Sequence, residues 1–299
     1  MLTGITMIFI GGDARQLEVI TKCIELDATV KVIGFDQMQK PLEGVEHVAL
    51  QGDILSEADV IVLPVAGCDD EGNILTPFSS HSWALNDELF AAIRKDTLIF
   101  TGITKKLLKS KSGELGFKLI ELMERDEIAI YNSIPTAEGA VMMAIQNTDI
   151  TLHGSTCVVL GLGRTGFTLA STLQALGARV RVGVRREVHM ARAIQMGWKP
   201  FATTDCKLYE GQIDLIFNTI PTMIVTAQII SKLPRETVII DLASAPGGTD
   251  FRFAERRGVK ALLAPGLPGI VAPKTAGKII GNTICQLVLE EFHLRGDEK

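Results

Sequence analysis

A chain of 299 residues, 46% hydrophobic and 22% charged, is long enough for two domains with separate cores and too apolar to be disordered. Its net charge of -5 gives no reason to expect a nucleic-acid partner. No apolar stretch reaches membrane-span length and no signal-peptide pattern opens the chain, so no membrane association is expected. The five cysteines (Cys23, Cys68, Cys157, Cys206, Cys285) are scattered without a C-x-x-C pair, which predicts reduced, mostly buried thiols in a cytoplasmic protein. The five histidines are equally dispersed, and no metal site is expected.

In chain order, the first ten residues run straight into a predicted strand. It ends at Gly11 and Gly12, followed by Asp13, Ala14, Arg15 and Gln16. Further strand-end segments follow at 64–67, at 76–81 and at 101–104. Predicted domain one spans 1–131. Residues 132–150 form an inter-domain connection, with a crossing at 131–136 and a helix over 137–148. Glu138 sits in the first turn of that helix, a favourable place for negative charge. Predicted domain two spans 151–273. The last segment, 274–294, has the apolar spacing of a long amphipathic helix. By fold analogy a C-terminal helix (275–295) completes domain one.

The most informative stretch lies at 161–166. A β-rich lead-in at 156–160 ends in Gly161, Leu162, Gly163, Arg164, Thr165 and Gly166. Helical spacing follows over 167–176, Gly177 stops the helix, and 179–184 alternates like a strand. This strand, glycine turn and helix start would receive a dinucleotide pyrophosphate on bare backbone N–H groups. Gly161 supplies the turn, Gly163 lets the backbone approach phosphate, and Gly166 lets the helix pack on its strand. An NAD site usually carries Asp or Glu about 20 residues past the motif; here the second strand ends in Arg185 and Arg186. Adjacent guanidiniums grip a 2′-phosphate, with Arg192 approaching from the following helix, so NADP is the expected cofactor.

Residues 7–36 lie over 157–186 without a gap, and the correspondence continues more loosely, 59–64 on 214–221 and 96–100 on 236–240. Strands alternating with helices on this spacing predict an α/β protein of two doubly wound Rossmann-like domains with parallel sheets and a cleft between them. The first copy has Asp13 and Gln16 where the second has Gly163 and Gly166. A carboxylate there would meet a pyrophosphate with like charge, so domain one keeps the scaffold without the dinucleotide and is expected to hold substrate. Asp36 ends its second strand in the acidic-partner position.

Ligands of open α/β sheets bind beyond the carboxyl ends of the strands. Arg15 is the leading carboxylate anchor there, with hydroxyls of Ser79 and Ser80 as hydrogen-bond donors. His81 is a candidate proton shuttle, and Lys274 would reach the nicotinamide side. Asn218, Thr219 and Pro221 resemble the strand-end turn that lines a nicotinamide ribose. No nucleophile with its base emerges, and hydride transfer needs none.

These segments together resemble the A-subunit family of dipicolinate synthase from spore-forming Bacilli. The likeness rests on the residues at 9–16, 133–140, 161–166, 241–249 and 265–277, and covers essentially the whole chain. More distantly the two-domain plan resembles D-2-hydroxyacid dehydrogenases and adenosylhomocysteine hydrolase, without an Arg, Glu and His catalytic set of the hydroxyacid type. The resemblance implies a complex with a separate, flavoprotein-like B subunit in the mother cell of a sporulating bacterium. The pair would convert dihydrodipicolinate, a lysine-pathway intermediate, to dipicolinate with NADP as acceptor. Arg15, Ser79, Ser80 and Thr136 would hold the dicarboxylate, and Glu138 or His81 would take the proton. A stand-alone NADP-dependent oxidoreductase of another small carboxylate, a non-catalytic Rossmann scaffold, and a homo-oligomer all stay open.

Overall fold

The computed structural model describes residues 1–205, 209 and 211–297, which fall into two compact units. The first comprises Met1–Ile128 with Pro273–Lys299, the second Ala129–Ala272. The first unit begins β1 (Thr6–Ile10), α1 (Ala14–Glu25), β2 (Thr29–Ile33), β3 (Val45–His47), α2 (Gly52–Ser56) and β4 (Val60–Val62). A short antiparallel hairpin follows, β5 (Asn73–Ile74) with β6 (Trp83–Ala84). Then come α3 (Asp87–Ala92), β7 (Leu98–Thr101), α4 (Lys106–Leu115) and β8 (Lys118–Glu121). Its six-stranded sheet is all parallel, in the order β3-β2-β1-β4-β7-β8.

Helix α5 (Asp126–Asn147) starts in the first unit and continues into the second. There follow β9 (Thr156–Leu160), α6 (Arg164–Ala175), β10 (Arg179–Val184), α7 (Glu187–Gln195), β11 (Lys199–Ala202) and β12 (Leu215–Asn218). The unit ends with α8 (Ala227–Ile230), β13 (Val238–Asp241), α9 (Phe251–Arg257), β14 (Lys260–Leu263) and α10 (Leu267–Val271). Its parallel sheet has the order β11-β10-β9-β12-β13-β14. The final helix, α11 (Pro273–Asp297), belongs to the first unit. Both units are doubly wound, Rossmann-type sheets, as the strand–helix alternation predicts.

Alternate side chains of each central strand enter cores on opposite faces, as period-2 strands buried on both sides must. Met7 and Phe9 of β1 pack with α1 and α11 residues, while Ile8 and Ile10 join the opposite core with Leu55, Phe90 and Leu108. Cys157 and Val159 of β9 divide from Val158 and Leu160 in the same way. The looser repeat matches have matching jobs. Asp59 and Asp214 each accept the N–H that opens the neighbouring central strand, from Thr6 at 2.9 Å and from Thr156 at 2.7 Å. The Thr97 hydroxyl donates to the Ala58 carbonyl at 2.9 Å, and that of Thr237 to the Ile213 carbonyl at 2.6 Å.

One prediction fails at 131–136. The structure carries α5 straight through that stretch, with Pro135 inside the helix. Proline costs about 3 kcal/mol in a helix interior, and burial of a small-residue face outweighs it. Ala137, Ala140 and Ala144 are buried in the second unit's core, and a side chain on Gly139 would press on Leu267. Ser133 adds a hydroxyl contact to Thr168 of α6 at 2.6 Å. Cys23, Cys68, Cys157 and Cys285 are buried free thiols, and burial pushes Cys157 up to about 11; Cys206 lies outside the described residues. Among the described residues no helix is long and apolar enough to cross a membrane.

Candidate functional site

The glycine loop of the second unit sits between β9 and α6, over the ends of β10 and β12. Gly161 has φ +92°, donates to the Gly183 carbonyl at 2.9 Å, and lies so close to Thr219 that a Cβ would meet its hydroxyl at 2.5 Å. Only glycine combines that backbone with that approach. Gly166 is buried against the turn, and a Cβ on it would fall 2.1 Å from the Gly161 carbonyl oxygen. Gly163 is different: it is exposed, and a Cβ there would meet nothing within 4 Å. It caps α6 without any side-chain hydrogen bond, so the first N–H groups of a 12-residue helix face outward with the positive end of its dipole. Arg164 is exposed, Thr165 is half-buried, and Leu162 turns its side chain into the core. Leu162 therefore has only its backbone to offer a ligand.

At the end of β10, Arg185 and Arg186 are exposed and make no ion pair or side-chain hydrogen bond among the described residues. Arg192 donates to Gln195 at 3.0 Å on its own helix. On the other side of the loop, the Thr219 hydroxyl donates to the Leu160 carbonyl at 2.8 Å. Asn218 is fully buried: its amide donates to Ile220 O and to Asp241, both at 3.0 Å, and its Oδ1 accepts from Ile220 N at 3.0 Å. Asn218 and Thr219 thus shape the turn, while Pro221 stands exposed on it. Asp241 is the residue that sequence reasoning left without a role. Its buried carboxylate also accepts from Ala243 N, Gly248 N and the Thr249 hydroxyl, the last at 2.6 Å. A carboxylate at a strand end, followed by two glycines and a threonine, was the signal for it.

The corresponding loop of the first unit is filled from within. Asp13 caps α1 by accepting from Arg15 N at 3.0 Å and pairs with the Arg15 guanidinium at 2.6 Å. Burial alone would raise the Asp13 carboxyl, but the hydrogen bonds and charge of Arg15 hold it below its ordinary value. Arg15 therefore reaches any ligand with its charge already shared. Gln16 is 3% exposed and occupies the space beneath Gly12. Above the loop runs the hairpin segment: Gly12 N donates to Leu75 O at 2.9 Å, and Gln37 N to Phe78 O at 2.8 Å. Asp36 accepts the Ser80 hydroxyl at 2.7 Å and Ser80 N at 3.1 Å. The hydroxyls of Ser79 and Ser80 hold the Asp36 carboxyl far below the usual carboxylate range. They stand where the ribose hydroxyls of a dinucleotide would otherwise be received.

Ser79 Oγ also accepts from His81 N and Trp83 Nε1, and the exposed His81 ring lies 3.0 Å from Ser80 Oγ. The structure thus brings Ser79, Ser80 and His81 together around Asp36, and separately joins Arg15 to Asp13. Lys274 is exposed in the first turn of α11. Thr136 and Glu138 lie on α5 in the second unit; the Thr136 hydroxyl donates to Asn132 O at 2.7 Å, and Glu138 is exposed.

Residues 6–123 match the family model for the N-terminal domain of the dipicolinate synthase A subunit. The chain is 48% identical over 290 residues to the dipicolinate synthase A subunit of Bacillus subtilis (strain 168), covering 97% of this chain and 98% of that one. The crystal structure of the Bacillus subtilis protein superposes with a TM-score of 0.93 at 47% identity, covering 98% of each chain. That of the corresponding protein from Bacillus halodurans gives 0.92 at 46% identity, over 96% of this chain and 99% of that one. Likeness of this extent along both units is shared descent: the chain belongs to the A-subunit family of dipicolinate synthase.

Proposed function

We propose that the chain is the NADP-binding oxidoreductase component of a dipicolinate synthase, converting dihydrodipicolinate to dipicolinate together with a separate B subunit. The observation that carries this reading is the contrast between the loops. The second unit presents an open glycine at the N-terminus of α6, with two exposed arginines at the next strand end. The same position in the first unit is closed by Asp13, Gln16 and the hairpin. The open loop fits a pyrophosphate, because Gly163 leaves room and brings no side-chain cap to the helix.

In this reading the backbone at Gly161, Leu162, Gly163, Arg164, Thr165 and Gly166 holds the pyrophosphate. Arg185 and Arg186 hold the 2′-phosphate by charge-assisted hydrogen bonds. Asn218 and Thr219 fix the turn that Pro221 presents to the nicotinamide ribose. When bound, the nicotinamide cofactor supplies a hydride acceptor. The carboxylates of the substrate are assigned to Arg15 and Lys274, which bring positive charge, and to Ser79, Ser80 and Thr136, whose hydroxyls would turn to the ligand from Asp36 and the Asn132 carbonyl. Glu138 or His81 takes the proton released as the ring becomes aromatic; both side chains are exposed.

Calorimetric titration of the purified chain with NADPH and with NADH, with and without dipicolinate, tests this. The expected result is tighter binding of NADPH, strengthened by the dicarboxylate. Absence of any nucleotide binding by a folded chain sinks the cofactor assignment and leaves the protein a scaffold.

A further inference from the structure

Helices α1 and α11 of the first unit meet along a ladder of residues spaced four apart on both. A Cβ on Gly277 would fall 2.4 Å from Arg15 O, and one on Gly281 would lie 3.3 Å from the Val19 Cα. The next rung is Cys285 against Cys23, with their Sγ atoms 3.8 Å apart. Rungs that ascend together on both helices describe a parallel crossing. The absence of side chains at the first two brings the backbones close enough for the third to be a thiol pair. A disulfide needs about 2.05 Å between sulfurs, so rotation about the Cα–Cβ bonds and a small approach must close roughly 1.8 Å.

The two thiols are not equivalent. Cys23 is fully buried and Cys285 is 3% exposed, and a surface groove of about 460 Å³ runs along the helix pair with Cys285 and Lys22 in its wall. The contact with Cys23 outweighs burial and, helped by the Lys22 charge, holds the Cys285 thiol below its usual value. The same contact and burial push Cys23 far up. Cys285, in the groove wall, is the thiol that a small molecule meets first, and Cys23 the one behind it that resolves the product.

We propose that Cys23 and Cys285 are a redox pair that closes to an intrachain disulfide when the chain meets a small-molecule disulfide, fastening the C-terminal helix to α1. Cys285 attacks one sulfur of the oxidant, forming a mixed disulfide and releasing one small thiol. Cys23, losing its proton, attacks the Cys285 sulfur and releases the second small thiol. One protein S–S bond forms, two protein S–H bonds are lost, and the two electrons and two protons leave with the reduced oxidant.

The test is incubation of the folded full-length chain with oxidised glutathione, followed by alkylation under denaturing conditions and peptide mapping by mass spectrometry. The expected product is one cross-linked peptide pair containing Cys23 and Cys285, lighter by two hydrogen atoms and restored by dithiothreitol. It should raise the melting temperature by about 5 °C through loop closure. Cys23→Ala should stop at glutathione on Cys285, and Cys285→Ser should give neither product. Separate alkylation of both cysteines, a stable glutathione adduct in the unmutated chain, or a cross-link formed only after prior unfolding would overturn the proposal.

Discussion

The loops at 11–16 and 161–166 occupy the same place in the two copies of the sheet, yet one is closed and the other open. In the first unit Asp13 turns inward to cap α1 and grip Arg15, Gln16 fills the space under Gly12, and the hairpin bonds across the top. In the second, Gly163 leaves the same helix end bare. A Rossmann scaffold therefore does not by itself make a dinucleotide site. What decides is whether the protein satisfies the helix N-terminus itself or leaves it to a ligand.

The strongest way to break this comparison is at the strand end. Arg185→Asp with Arg186→Ser removes the two guanidiniums assigned to the 2′-phosphate, so NADPH should bind about 100-fold more weakly while NADH stays within roughly 3-fold. Unchanged selectivity in calorimetric titration would refute the 2′-phosphate assignment. Next is Gly163→Asp, which copies Asp13 into the open loop. The site has room for the new Cβ, so the melting temperature should hold. Like charge against the pyrophosphate should weaken both nucleotides by about 30-fold. Equal binding by variant and parent would show that phosphate does not lie on this loop.

Opening the closed copy is a subtler test. Asp36→Ala removes the acceptor of the Ser80 hydroxyl and N–H, and should open the half-buried Phe78 and Trp83 to chymotrypsin while leaving NADPH affinity alone. The same carboxylate gives the hairpin a pH signature. Its folded-state value lies below its unfolded one, so its contribution is complete above about pH 4 and is lost as pH falls through the lowered value. Trp83 fluorescence should report loosening only below that point, and Asp36→Ala should abolish the transition. The smallest effect belongs to Arg192→Ala: with its guanidinium already bonded to Gln195, NADPH affinity should change by less than about 2-fold.

Much of this was legible in the chain. The repeat predicted matching elements, and β1, α1 and β2 begin where the offset from β9, α6 and β10 puts them. Even the turn after the first helix obeys it: Asp27 takes φ +64° where its counterpart Gly177 takes +82°. The helix through Pro135 was not legible, because a proline reads locally as a break while the alanine face that overrides it gains energy only by packing. The Asp36 latch was equally hidden, since its partner Ser80 lies 44 residues away in a segment with no periodicity.

The sequence by itself determined the strand–helix alternation, the open glycine turn and the basic strand end, because each depends on residues close together in the chain. Tertiary structure alone decided that Ser80 latches onto Asp36, that the hairpin segment bonds across the first glycine turn, and that α11 brings Cys285 to Cys23. Those outcomes depend on which groups meet in the folded chain, where packing and hydrogen-bond satisfaction, rather than local propensity, set the energy.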